Sequence, residues 1–300
     1  MKQLYAFLLI IFSTLIFTSC QKSYTIPGYT YTPPTTGGGG SNSGNATGAL
    51  VVKIVGVSGT DTVEVDNYSY DSNNKLSAMS FNSKTIRPTY TNTKTINYVI
   101  TRNSNGNIAQ FTQQTITNST PASSGVLHVL HYPTGSNNCD YEVAKQDVGG
   151  GVIYRDSIVF AYNGNTITGY KSYSQIDGLS PYSQYSTITY TYDSNGNTSA
   201  IHVVITGTTS VTGDFTFNYD TKSNPLDFGN EMIYLGQETG VTKNNITSFN
   251  SVFVSSSTTT SSATYSYTYN AANYPATIAF SATGSTPVYP STATYTYFYK

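Results

Sequence analysis

This sequence predicts an all-β fold: a single long antiparallel meander of hairpins, curved into a partly closed sheet. Tyr and Thr alternate in stretches such as residues 189–192, and both residue types suit the pleated, half-buried surface of a strand. Residues 193–197 follow at once and contain Asn-Gly, which favours a tight chain reversal. No window places apolar residues at the spacing of a helix face. We therefore expect strands joined by turns, with essentially no helix.

The first 19 residues predict a lipoprotein signal peptide. Lys2 supplies a positive charge, and residues 4–17 form an apolar run too short to span a membrane comfortably. The run ends at Phe17-Thr18-Ser19-Cys20, which resembles the lipobox of bacterial lipoproteins. The resemblance implies that Cys20 is lipidated and anchors the protein to a membrane. An ordinary secretory peptide is the alternative, because Phe17 stands where the lipobox usually has Leu.

Residues 20–47 predict a flexible tether, and residues 48–300 predict a Tyr-rich antiparallel β domain. The tether is dominated by Pro, Gly and Ser, and such a segment buries too little apolar area to fold. About 27 residues of this kind reach on the order of 30 Å. Some surface-displayed lipoproteins carry acidic residues directly after the cysteine, whereas Gln21-Lys22-Ser23 has none. We expect an outer-membrane protein that faces the periplasm, and surface exposure stays open.

One repeated unit accounts for most of the β domain. Seven segments share all or part of a pattern in which a Tyr-x-Tyr strand runs into a turn of Asp, Asn and Gly. Anchor tyrosines recur 27 to 30 residues apart, the length of two strands with their turns. These pairs are Tyr70 and Tyr98, Tyr162 and Tyr192, Tyr192 and Tyr219, and Tyr269 and Tyr297.

Each unit predicts a hairpin with two chemically different faces. The tyrosines of residues 189–192 should share one face and the threonines the other. Asn195-Gly196 favours a type I′ turn, and the return strand should place Ile201 and Val203 on one face. A lone hairpin is marginal, so neighbouring units should pair edge to edge. At residues 270–274 the usual Asp and Gly of the turn are replaced, which weakens the prediction of that hairpin.

The composition argues against several classes of partner. Charged residues make up 10% of the chain, and the formal net charge is -1. No basic surface is therefore available to neutralise phosphates, which excludes nucleic acid as the expected partner. With Cys20 lipidated, Cys139 alone remains, so no intrachain disulfide is expected. We expect a monomer.

No metal or cofactor site is predicted. Asp193, Asn195 and Asn197 have the spacing that opens an EF-hand loop. That loop requires Glu at its twelfth position, where this chain has Val204. Polar hairpin turns explain the spacing better.

No catalytic site is predicted either. His128 and His131 are three residues apart, so in a strand their rings point to opposite faces. A hairpin could bring His131 to Cys139, but Asp140, the candidate orienting group, should point away as the neighbour of Cys139. The carboxylates are scattered and show no spacing typical of a glycosidase pair.

Rows of tyrosine are the best candidate for ligand contact. Aromatic rows on a curved sheet can hold a glycan or another extended polymer, and the alternative is that the rings pack against each other. The candidate ligand-facing residues are Tyr68, Tyr70, Tyr190, Tyr192, Tyr265, Tyr267, Tyr269, Tyr295 and Tyr297.

The β domain resembles a known family over roughly residues 50–300. Ser-Asn-Pro-Leu at residues 223–226, Lys-Asn-Asn-Ile-Thr-Ser at 243–248, the strand-turn-strand of 265–278 and the last Tyr-x-Tyr strand are similar to a family of Bacteroidota lipoproteins. The family is known as the domain of unknown function DUF4595 and is described as porin-like. The strand-turn phrase also resembles the YD repeats of Rhs-type proteins. The resemblance implies a curved, porin-like antiparallel sheet and no activity.

The sequence therefore predicts a membrane-anchored envelope lipoprotein without enzymatic activity. A binding or scaffold module for a glycan or an envelope protein is the leading interpretation. A membrane-embedded β-barrel is the alternative, and an uncharacterised hydrolase is a second one.

Overall fold

The computed structural model describes most of the predicted β domain. The described residues are 50–87, 90–118, 120–121, 125–147, 149, 152–176, 182–207, 210–236, 239–285 and 290–300. The predicted signal peptide (1–19), the lipidation site Cys20 and the tether (20–47) lie outside the described residues.

The described chain consists of strands and one short helix, α1 (Asn230–Tyr234). The strands are β1 (Val51–Ser58), β2 (Asp61–Tyr70), β3 (Leu76–Arg87), β4 (Tyr90–Arg102), β5 (Ile108–Thr117), β6 (Thr120–Pro121), β7 (Val126–His131), β8 (Tyr141–Asp147), β9 (Ile153–Asn163), β10 (Thr166–Ile176), β11 (Ser183–Tyr192), β12 (Thr198–Ile205), β13 (Val211–Ser223), β14 (Asn244–Val254), β15 (Thr258–Tyr269), β16 (Pro275–Gly284) and β17 (Thr292–Tyr299).

Sixteen of these strands close into one antiparallel β-barrel. Each strand pairs with the next along the chain, β5 pairs with β7, and β17 returns to pair with β1. The two-residue β6 pairs only with the end of β5. The predicted all-β meander is confirmed, and its sheet closes fully, which removes both free edges.

The alternation of side chains gives the barrel an aromatic inside and a polar outside. On β11, Ile188 and Tyr190 are buried, while Thr189 and Thr191 are exposed. The predicted separation of tyrosine from threonine is therefore confirmed. The partner strand β12 repeats it, with Ile201 buried. Burial of this inward face is the main source of stability for a barrel without disulfides.

Four hairpin turns share one backbone geometry, which differs from the type I′ turn predicted at Asn195-Gly196. Asn195 does not adopt a positive φ, whereas Gly196 does, at 82°. The Gly196 N–H donates to the Asp193 carbonyl, and Asp193 Oδ1 accepts the N–H groups of Asn195 and Asn197. Asp71, Asn103 and Asn270 make the same side-chain contacts in their own turns.

The turn at residues 270–274 is a full member of this set. Asn273 adopts a φ of 62° in the place that Gly196 occupies in its own turn. Asn tolerates this left-handed conformation better than most residues. This hairpin therefore forms although its usual turn residues are replaced. Asn270 takes the place of the capping Asp, and Asn273 takes the place of the left-handed Gly.

These turns lie at one end of the barrel, which we call the plug end; the opposite end is the far end. The connection between β13 and β14 folds inward at the plug end and contains α1. We call its residues 226–236 the plug. Its helix departs from the expectation of essentially no helix, and it is only five residues long.

The plug reaches strands on other sides of the barrel. Phe228 packs against Tyr70 of β2, with ring centroids 6.4 Å apart. Tyr234 packs edge-on against Phe160 of β9, at 5.1 Å. Because β2 and β9 lie far apart around the barrel, the plug crosses its mouth, and Leu235 at its end is fully buried.

Candidate functional site

The nine tyrosines predicted to face a ligand lie inside the barrel. Tyr68 and Tyr190 are buried, at 7% and 5% exposure, and the other seven are half-buried. Their rings meet other aromatic rings, for example Tyr265 with Phe280 at 5.4 Å. Contact of these rings with a glycan stays a prediction, and it would require a ligand within the barrel.

Six tyrosines have a structural role that explains the repeat. Near the plug end, each donates its hydroxyl to a backbone carbonyl within two residues of the start of the preceding strand. Tyr192, for example, donates to the Ile167 carbonyl at 2.5 Å. Burial raises the pKa of the Tyr192 hydroxyl to about 12, so it remains a donor at neutral pH. The other five bonds are Tyr70 to Val51, Tyr162 to Cys139, Tyr219 to Thr198, Tyr267 to Ile246 and Tyr299 to Pro275.

A pair of carboxylates faces the interior among some of these rings. Glu64 and Asp66 lie two residues apart on β2, and the Glu64 side chain hydrogen-bonds Tyr295. Burial, and then the charge of Glu64, raises the pKa of Asp66 to about 8. Burial also raises the pKa of Glu64. Asp66 Oδ1 is buried and has no hydrogen-bond partner among the described residues.

The second buried acid-base group joins β7 to β8. His128 Nδ1 lies 2.6 Å from Glu142 Oε1, and both side chains are essentially inaccessible. The His128 ring also stacks on Phe111, with centroids 4.1 Å apart and planes 8° apart. The polar pair is therefore enclosed by strands of the wall and by the plug.

The prediction for the two histidines is confirmed, since His128 points inward and His131 is exposed. Cys139 and His131 do not pair in the structure, although the sequence allowed a hairpin to bring them together. His131 Nδ1 lies 2.7 Å from Asp140 Oδ1, while Cys139 Sγ donates to the Tyr141 carbonyl. Burial raises the pKa of the Cys139 thiol well above its usual range, so it is a poor nucleophile.

A buried ion pair fastens the plug to the wall. Both terminal nitrogens of Arg102 contact the Glu231 carboxylate, at 2.6 and 2.8 Å. Arg102 also donates to the carbonyls of Leu76 and Gly106. Asn230 adds a hydrogen bond to the Asn165 carbonyl in the β9–β10 turn. The plug is thus held by directional contacts as well as by packing.

The outer surface is covered by hydroxyl and amide side chains. On β14 to β17, Thr and Ser form cross-strand pairs such as Thr268 with Thr277, whose hydroxyls are 2.7 Å apart. His202 and Asp214 form an exposed pair on β12 and β13 at 2.7 Å. Only five large apolar side chains of the described residues are exposed: Val99, Val129, Val252, Val254 and Phe298.

Two further features bear on function. No three His, Cys, Asp or Glu side chains of the described residues are grouped closely enough to hold a metal ion. The part of the chain that the structure describes contains no helix with the length and apolarity needed to cross a membrane.

Comparison with known proteins identifies no family. No protein-family model matches the chain, and no curated protein matches it either. The DUF4595 resemblance therefore stays a prediction.

Two solved structures are similar in fold. A porin-like protein from Bacteroides vulgatus ATCC 8482 is 14% identical, with a TM-score of 0.46 over 84% of this chain and 99% of its own. A porin-like protein from Bacteroides uniformis ATCC 8492 is also 14% identical, with a TM-score of 0.48 over 83% of this chain and 98% of its own.

Three interior polar groups were not identified from the sequence: Glu64 with Asp66, His128 with Glu142, and Arg102 with Glu231. The first had a local signal, because acids two apart in a strand share a face. Glu142 and Glu231 belong to the scattered carboxylates, for which the sequence shows no paired spacing. Arg102 and Glu231 are 129 residues apart, and no local pattern connects them.

Proposed function

We propose that this protein is a non-catalytic envelope module, whose filled β-barrel presents a hydroxyl-rich outer surface to water. The lipid on Cys20 anchors it to the outer membrane, and the barrel faces the periplasm. Its outer surface binds a glycan or an envelope protein, without nucleic acid or a cofactor. The barrel acts as a monomer.

The distribution of side chains between the two faces of the barrel supports this proposal. A membrane-spanning barrel needs an outward apolar band about 25 Å tall and commonly has a polar interior. Here the outward faces carry Thr, Ser and Asn together with the exposed His202–Asp214 pair. The inward faces carry the aromatic rings. Water is the solvent that suits such an exterior.

A membrane-embedded barrel is the second candidate. The architecture favours it. The barrel has an even number of antiparallel strands, and each strand pairs with the next one along the chain, as in outer-membrane barrels. The two candidates share that plan and differ in the solvent that the outer surface requires.

Solubility separates the two candidates. The chain from Ala49 onward, purified without detergent, should be monodisperse and monomeric by sedimentation, with a β-rich circular-dichroism spectrum. A chain that stays folded only in detergent micelles or lipid vesicles would establish the membrane-embedded alternative.

Lipid attachment is tested separately in a bacterial host that processes lipoproteins. Metabolic labelling with a radioactive fatty acid should mark the full chain and leave the Cys20→Ala variant unlabelled. Equal labelling of both chains, or of neither, would contradict an anchor at Cys20.

The proposed ligand class is tested with a glycan array and the chain from Ala49 onward. If Thr268→Lys weakens the binding of a glycan, the contact lies on the outer surface of β15. Ser172→Ala, which changes a residue inside the barrel, is the control and should leave binding unchanged. Absence of binding across a broad array would count against a glycan and leave an envelope protein as the partner.

A further inference from the structure

A small cavity lies between the barrel wall and the plug. Its volume is about 20 Å³, enough for one water molecule. The wall contributes polar groups from β7, β8, β10 and β11, and the plug covers the remaining side. The polar wall residues include His128, Glu142, Ser172 and Ser186, and the plug contributes Ile233, Tyr234 and Gly236.

Three polar atoms of the lining residues have no hydrogen-bond partner in the described part of the protein. They are His128 Nε2, Glu142 Oε2 and Ser186 Oγ. The three residues are 0%, 1% and 1% exposed, so bulk water does not reach them. Such atoms are rare in folded proteins, because a buried donor or acceptor without a partner is costly.

We propose that this cavity binds one water molecule, which bridges His128, Glu142 and Ser186. Three hydrogen bonds are the usual number for a buried water. With neutral His128 donating from Nδ1 to Glu142, the water donates to His128 Nε2 and Glu142 Oε2 and accepts from the Ser186 hydroxyl. With charged His128, the water turns to accept from Nε2, and the same three partners are satisfied.

The geometry argues against other occupants and against chemistry by these groups. A metal ion would need more ligands than this His–Glu pair supplies, and an apolar guest would leave the three polar atoms unpaired. Ser186 Oγ makes no hydrogen bond to His128, so the pair does not form the serine–histidine contact of a nucleophile and its base. A molecule that links them fits better.

Magnetic relaxation dispersion of water in solutions of the folded protein counts long-lived buried waters and provides the test. The Ser186→Val variant places a methyl group in the cavity, so the count should fall by one relative to the unmodified protein. Ser251→Val is the matched control, because Ser251 is also a buried strand serine but its hydroxyl already bonds Ser261, at 2.6 Å. An unchanged count in Ser186→Val would overturn the proposal.

A crystal structure of the unmodified protein decides the question if Ser186→Val does not fold. A density peak about 3 Å from each of the three atoms, which is the distance of a hydrogen bond, would establish the water. Clear density for the side chains with no peak between them would overturn it.

Discussion

The two ends of the barrel hold their strands together by different means. At the plug end, capped turns and tyrosine hydroxyls secure neighbouring strands, and the Arg102–Glu231 pair connects the wall to the plug. At the far end, the ion pair of Lys84 and Asp61 is half exposed, with 38% and 48% of the two side chains accessible.

The far end also relies on close packing over glycine. The ring of Tyr295 lies directly over Gly56, its cross-strand partner, and the ring of Phe253 lies over Gly213 in the same way. The carboxyl groups of Glu64 and Asp66 lie on this side of the barrel and have no cation partner among the described residues. The comparison indicates that buried charge is balanced by an opposite charge at the plug end, whereas toward the far end the buried carboxyl groups retain their protons more strongly.

The largest difference between the ends should appear when each ion pair is broken. Arg102→Met leaves Glu231 buried and uncompensated, which should lower the free energy of unfolding by about 3–5 kcal/mol. Lys84→Met at the far end should cost no more than about 1 kcal/mol, because that pair is exposed to solvent. Urea denaturation of both variants measures the two values. Equal losses would refute the proposed difference between the ends.

The unpaired carboxylates should make stability depend on pH. The pKa of Asp66 is about 8 in the fold and near 4 in the unfolded chain. The folded state therefore holds the proton more tightly, so stability is full below about pH 4 and is lost as pH rises toward 8.

Asp66→Asn should remove most of that slope, and Glu64→Gln should remove part of it, because it deletes the neighbouring charge. Urea midpoints measured at pH 5 and at pH 8 give the comparison. A slope that Asp66→Asn leaves unchanged would show that other groups control it.

Packing over glycine can be tested at the far end with a single methyl group. A Cβ at position 56 would lie 2.6 Å from the Tyr295 ring, so Gly56→Ala should force the ring to move and cost about 1–3 kcal/mol. The control is Gly56→Ala combined with Tyr295→Leu, in which the added methyl group meets no ring. In the Tyr295→Leu background, thermal unfolding should show a smaller loss of stability from Gly56→Ala than in the unmodified protein. A larger loss in that background would contradict the packing argument.

The smallest effect concerns a single tyrosine hydroxyl at the plug end. Tyr192→Phe removes the bond to the Ile167 carbonyl and should cost about 1 kcal/mol. Tyr173 is the matched control, since it faces outward and its hydroxyl makes no hydrogen bond among the described residues. In chemical denaturation, Tyr173→Phe should have the same free energy of unfolding as the unmodified protein within error. A similar loss of stability in both variants would mean that the anchoring bonds add no stability.

Much of the candidate site lay beyond local pattern. The tyrosine rows were identified by sequence, but their role as hydroxyl anchors depends on carbonyls 19 to 25 residues away. The plug was not predicted, because residues 230–234 form only one short helical turn. Its contacts with Arg102 and Phe160 exist only once the wall has closed around it.

The sequence by itself determined the strands, the chain reversals and the separation of tyrosine from threonine, because those follow from alternation and turn chemistry within about ten residues. It did not determine which face lies inside. The tertiary structure decided that, because only closure of β17 onto β1 encloses one face of the sheet and leaves the other in contact with solvent. The tertiary structure also brought Arg102 to Glu231 and created the cavity at His128, since both depend on wall residues meeting the plug.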